Sequence, residues 1–250
     1  MGVRSLLFLA ILAISIHEAS PKDKVLKEKI SSGGRERTYH LFVPETLDLG
    51  KPAPLLIMLH GSGRDGSSLI DPWKKLAKEK GIVLAGPNAL NSQKWISPAD
   101  GPVFLRDVVE SIKARFNIDS KRVYLFGHSG GGSFAIMNAL FEPNFFAAAA
   151  VHAGALPDPD QFMPVLSSRR RIPIAIWVGD RDPFFPVSAV KLTVDILQTH
   201  GFPGQFSVLQ NHDHNYYGLA DKVNKAAWSF LESKALEDDP EWVDIAFSER

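Results

Sequence analysis

The stretch that decides the fold runs from Val123 to Phe141, VYLFGHSGGGSFAIMNALF. Val123–Phe126 is a short apolar run that reads as a buried strand, and Ser133–Phe141 carries the apolar spacing of a helix. Between them, Gly127-His128-Ser129-Gly130-Gly131 fits G-x-S-x-G. A serine placed directly between strand and helix sits on a strained turn with its hydroxyl projecting. Glycines are needed on either side because side chains there would collide with neighbouring backbone. A glycine-rich phosphate turn or a plain packing turn is the competing reading, and the strand–turn–helix context weighs against both.

Working outward, the same alternation repeats. Arg37–Pro44 alternates as an early, partly exposed strand, and Leu55–Leu59 (LLIML) is a continuous apolar run that stops at His60-Gly61-Ser62-Gly63. Further strands are expected at Ile82–Ala85, Phe146–Val151, Ile172–Val178 and Gln205–Leu209. Helices are expected at Asp65–Lys80, Gly101–Phe116, Val187–His200 and Leu219–Glu232. Strands alternating with helices predict an α/β fold, a mostly parallel central sheet with helices on both faces. One domain over residues 20–234 is expected, followed by an acidic tail over 235–250 that either packs across the domain or stays mobile.

Composition narrows the partners. The 250 residues hold 28 Lys+Arg against 28 Asp+Glu, so no general cationic surface is available for nucleic acid or anionic membranes. Zero net charge with apolar pocket candidates suits an uncharged or weakly charged small molecule. No cysteine is present, which excludes disulfides, thiolate metal sites and a cysteine nucleophile. At the N-terminus, Arg4, the apolar run Leu6–Ile16 and small residues at Ala13, Ser15, Ala19 and Ser20 have the layout of a secretory signal peptide, residues 1–19. The run is too short to span a bilayer. A secreted or periplasmic location is therefore expected. No Asn-x-Ser/Thr sequon occurs.

A serine hydroxyl is a weak nucleophile until a base takes its proton, and a carboxylate must hold that base. On such a sheet the expected order is serine, acid, histidine. Asp180 and Asp182 follow the Ile172–Val178 strand at its carboxyl end, where catalytic groups gather; Asp182 is preferred and Asp180 held in reserve. His212 and His214 follow the next strand, with His214 preferred as the base. His-x-His can also be a metal half-site, but no companion set of carboxylates is evident to complete it. The oxyanion of acyl transfer needs preset N–H groups. Gly130 supplies one, and the turn at Gly61-Ser62 the other, with Ser62 preferred. His60, Trp95, His128, Phe184 and Phe185 are candidates for substrate contact.

Taken together, LHGSG, DGPVFLRDVVESIKARFNIDSKRVYLFGHSGGG, GDRDPFFP and HDHNYY resemble the α/β-hydrolase family, most closely its secreted esterases of the polyhydroxybutyrate-depolymerase-like and feruloyl-esterase-like type. The similarity covers about Arg37 to Glu232. It implies an acid in a G-x-x-D turn followed by proline, matching Gly179, Asp182 and Pro186, and a base after an aspartate, matching Asp213-His214. It further implies hydrolysis of a small-molecule or polymer-derived carboxylic ester, with Ser129 as nucleophile and with no cofactor or metal. Gly130 stands where many depolymerase-like relatives carry Asn, and their paired cysteines are missing, which counts against a polymer substrate. Two other functions compete: a serine peptidase of the prolyl-peptidase-like type, and a catalytically silent binding protein on the same fold.

Overall fold

Strands that are apolar at every position need helices on both sides, and the computed structural model, which describes residues 22–156, 158–168 and 170–242, supplies them. The strands are β1 (Lys22–Ser32), β2 (Arg35–Val43), β3 (Ala53–Leu59), β4 (Val83–Pro87), β5 (Ile118–His128), β6 (Ala148–His152), β7 (Ile174–Gly179) and β8 (Gly204–Leu209). They form one sheet in the order β1-β2-β4-β3-β5-β6-β7-β8. From β4 through β8 all neighbours are parallel, whereas β1 and β2 join antiparallel at one edge. The helices are α1 (Ser67–Lys80), α2 (Pro102–Lys113), α3 (Gly130–Phe141), α4 (Met163–Ser167), α5 (Val187–Thr199) and α6 (Ala220–Leu231).

Alternate residues of each central strand serve opposite cores. Leu55, Ile57 and Leu59 of β3 pack with Phe104 of α2, Phe134 of α3 and Val190 of α5. Leu56 and Met58 pack on the other face with Trp73 of α1 and Val223 and Trp228 of α6. This two-sided burial is the physical reason for the unbroken LLIML run.

One feature departs from the expected layout. The charge-rich segment before Arg35 is a full strand, β1, paired with β2 through a two-residue turn at Gly33-Gly34, where φ is 57° and 72°. Gly-Gly fits such a turn because both positions need positive φ. Residues 235–242 of the acidic tail pack on the domain, one of the two arrangements expected of it. Leu236 is buried and its N–H donates to the Lys121 carbonyl (3.0 Å), while Trp242 meets Phe145 edge-on at 5.1 Å. The rest of that tail and the expected signal peptide at 1–19 lie outside the described residues. Among the described residues, no helix is long and apolar enough to cross a membrane.

A buried ion pair shapes the loop between β4 and α2. Arg37 Nη2 lies 2.5 Å from Asp100 Oδ1, with both side chains almost wholly buried. The Asp100 carboxylate also accepts from the N–H groups of Leu90 (2.9 Å) and Ile96 (2.8 Å). That loop in turn braces the turn after β3: the Gly63 N–H donates to Ser92 O at 2.8 Å, and Trp95 Nε1–H donates to His60 O at 2.9 Å.

Candidate active site

Three parallel strands end at one rim, and each delivers one polar group. β5 ends at His128, and Ser129 follows at φ 59°, ψ −128°, a backbone region that an L-residue enters only under strain. The surroundings enforce it. A Cβ on Gly131 would come within 2.0 Å of Leu59 O and one on Gly127 within 2.3 Å of Gly131 O, so β3, β5 and α3 meet too closely for side chains there. The Ser129 N–H donates to His152 O (3.1 Å), tying the turn to the end of β6.

Beyond β7, Asp182 is buried. Its Oδ1 accepts from the N–H groups of Phe184 and Phe185, both at 2.9 Å, and its Oδ2 lies 2.7 Å from Nδ1 of His214. Beyond β8, His214 completes the chain, with Nε2 2.9 Å from Ser129 Oγ. Serine hydroxyl, imidazole and carboxylate thus form one continuous hydrogen-bonded line, an arrangement that can draw a proton off Oγ and hold the resulting imidazolium. Asp180, the reserve acid, is exposed and accepts from the His212 N–H (3.1 Å), a turn-stabilising role.

Ser129 opens on a cavity of about 740 Å³. Of the residues expected here, Ser62, His128, Gly130, Phe184 and Phe185 line it together with Ser129 and His214. Among the described residues, no acceptor meets the N–H of Ser62 or of Gly130, which leaves both free for a ligand oxygen. Phe185 stacks on the His214 ring at 5.7 Å and 7°, while Phe184, 71% exposed, meets it edge-on at 4.9 Å.

His60 and Trp95 do not line this cavity. Both nitrogens of buried His60 are taken by backbone: Nδ1 faces Gly61 O at 2.9 Å and Nε2 accepts from the Ala89 N–H at 3.3 Å. Burial holds its pKa below the ordinary histidine value. Trp95 stacks on Phe134 at 5.0 Å behind the loop. Arg64 and Tyr217, not among the expected contacts, also line the cavity, with the guanidinium 5.2 Å from the Tyr217 ring. Arg64 directly follows LHGSG and Tyr217 is the last residue of HDHNYY, and those positions are the available signal. Among the described residues, no group of three or more His, Cys, Asp or Glu side chains is arranged to hold a metal ion.

The model of the family described as "Putative esterase" matches residues 30–231, and the chain belongs to this esterase family. It is 30% identical over 163 residues to the bifunctional acetylxylan esterase/xylanase XynS20E of Neocallimastix patriciarum, a match covering 64% of this chain and 23% of that protein. It is 29% identical over 166 residues to poly(3-hydroxyalkanoate) depolymerase C of Paucimonas lemoignei, covering 60% and 39% respectively. The chain thus spans less than half the length of these curated relatives. Its fold matches that of an S-formylglutathione hydrolase from Agrobacterium tumefaciens with a TM-score of 0.64 at 17% identity, over 83% of this chain and 94% of that one. The fold is that of the α/β-hydrolases, as the sequence predicts.

Proposed function

We propose that this chain is a serine esterase that hydrolyses carboxylic esters through an acyl-enzyme at Ser129. The observation that carries the reading is the unbroken Ser129–His214–Asp182 hydrogen-bonded line, at 2.9 and 2.7 Å, at the floor of the cavity. Ser129 Oγ attacks the ester carbonyl as its proton passes to His214 Nε2, and Asp182 stabilises the imidazolium through Nδ1–H. The tetrahedral oxygen is received by the N–H groups of Gly130 and Ser62; one such donor contributes about 10²–10³ in kcat. The protonated His214 returns its proton to the departing alcohol, and water repeats the sequence on the acyl group. Phe184 and Phe185 make one wall apolar, which suits an acyl or alcohol group of low polarity.

Hydrolysis of p-nitrophenyl acetate and butyrate tests the activity, with fluorophosphonate labelling mapped to Ser129. Turnover that survives Ser129→Ala at full rate removes the assignment. Export of the chain through residues 1–19 belongs to the same proposal, and N-terminal sequencing of protein recovered outside the cytoplasm tests it.

A further inference from the structure

Behind the proposed catalytic line lies a second row of imidazoles that the esterase reaction does not consume. His128 ends β5 and His152 ends β6, and the two are register partners across the parallel pair. Their Nδ1 atoms are 3.1 Å apart. His152 Nε2 is 3.0 Å from Nε2 of His212, two residues before the proposed base. All three rings are buried, and His128 packs against the His214 ring at 4.9 Å. The row therefore joins the nucleophile turn, the end of β6 and the loop that carries His214.

Neutral imidazole has one N–H and one bare nitrogen, so two hydrogen bonds through His152 allow only two complete proton arrangements. If His152 donates from Nδ1, then His128 and His212 both carry their protons on Nε2. If His152 donates from Nε2, both carry them on Nδ1. The His152 carbonyl, 3.4 Å from His128 Nδ1, selects between them, because a carbonyl oxygen only accepts. It favours the second arrangement, with His128 protonated at Nδ1. The bare Nε2 of His128 is then left on the ring edge away from His152, the edge whose Cδ2 stands against Gly61 in the cavity wall.

We infer that His128, His152 and His212 form a neutral row of positioning residues, locked in this one tautomeric direction. The row holds the Ser129 turn and the His214 loop in register and presents His128 Nε2 to the cavity as a hydrogen-bond acceptor for a donor group on the substrate. The inference rests on the esterase reading for its kinetic consequence, but its proton arrangement is a property of the free protein.

Imidazole ¹⁵N NMR of the unliganded protein at neutral pH tests the arrangement without any substrate. The expected spectrum has His128 and His212 protonated at Nδ1 and His152 at Nε2. An imidazolium at any of the three, or averaged tautomers at His128, overturns the inference even if esterase activity is present. Kinetics test positioning. His152→Phe keeps a flat ring but removes both bonds, and kcat toward p-nitrophenyl acetate is expected to fall about ten- to a hundredfold with little change in KM. Unchanged kcat in a folded His152→Phe protein overturns the positioning role. Should that variant not fold, the pair at the row's end decides: His212→Phe is expected to lose kcat and His212→Gln, whose amide reaches the Nε2 position, to recover part of the loss. Equal kcat in that pair counts against the row. Absence of turnover and of fluorophosphonate labelling in the unmodified protein, with the ¹⁵N pattern intact, would fault the esterase reading instead.

Discussion

Asp182 meets His214 with one carboxylate oxygen, Oδ2 to Nδ1 at 2.7 Å, while its other oxygen is held by the N–H groups of Phe184 and Phe185. The carboxylate is therefore fixed by backbone before it touches the imidazole, and it can orient the ring without moving. Asp180, two residues earlier, serves the His212 backbone instead.

This difference separates the two aspartates by mutation. Asp182→Asn retains the shape but favours the wrong imidazole tautomer, so kcat for a p-nitrophenyl ester is expected to fall by about 10⁴. Asp180→Asn is expected to stay within a few-fold of the parent. Matched kcat measurements check the pair, and comparable losses in both would leave the acid unassigned.

The two phenylalanines at the cavity are expected to divide binding from chemistry. Phe184 is 71% exposed and touches His214 only by its edge, so Phe184→Ala is expected to raise KM for apolar esters with stability nearly unchanged. Phe185 lies flat on the imidazole, and Phe185→Ala is expected to lower kcat instead, because the ring loses its backing. A panel of acyl chain lengths run on both variants reads the split. Identical profiles would show that neither ring has a distinct part.

Acid should weaken this protein early. Burial lowers the pKa of His128 to about 4 and of His152 to about 2, from an ordinary 6.5, and neighbouring histidines push both the same way. The unfolded chain takes up protons at these positions once pH drops below about 6.5, while the folded protein resists. Stability is thus complete above that pH and declines as pH falls toward the folded values. Each contributes roughly 2 kcal/mol of loss between pH 7 and 5, about 4 together. Burial of His60 and His40 acts in the same direction. Tm measured across this range is expected to drop steeply, and a flat profile would mean that these rings are solvated.

Much of this was legible in the chain because the sheet is buried on both faces. LLIML, VYLF and IPIAIWV announce themselves as apolar runs, and the groups at their ends follow from topology. β1 is not legible from hydropathy, since KDKVLKEKISS lies at the sheet edge with Lys24, Lys27 and Lys29 exposed to solvent. The signal there was conformational, the Gly33-Gly34 pair between Ser32 and Arg35. That His60 and Trp95 stand off the cavity is hidden for a different reason: whether His60 faces a ligand or backbone groups depends on the 88–101 loop, which no local pattern encodes. The histidine row belongs with them: its members come from three strand ends, and only strand order and register reveal that His128 and His152 stand side by side.

The Arg37–Asp100 pair tests how the sheet edge supports the cavity wall. Removing the guanidinium in Arg37→Ala leaves the Asp100 carboxylate buried with the Leu90 and Ile96 N–H groups as its remaining partners among the described residues, and also removes the cation 3.6 Å from the Phe104 ring. Breaking one side of a buried pair typically costs 3–5 kcal/mol, so a loss on the order of 4 kcal/mol is expected in denaturant titration. Replacing both members by apolar residues, Arg37→Met with Asp100→Leu, would restore stability if the pair were a simple charge couple. Here the double variant is expected to remain destabilised by about 1–3 kcal/mol for each buried N–H left unpaired, because Asp100 also organises the 88–101 loop. That loop holds His60 through Ala89 and Trp95, and Gly63 through Ser92, so the double variant should also lose kcat as the Ser62 N–H drifts. Full recovery of both stability and kcat would show that the loop keeps its shape without the carboxylate.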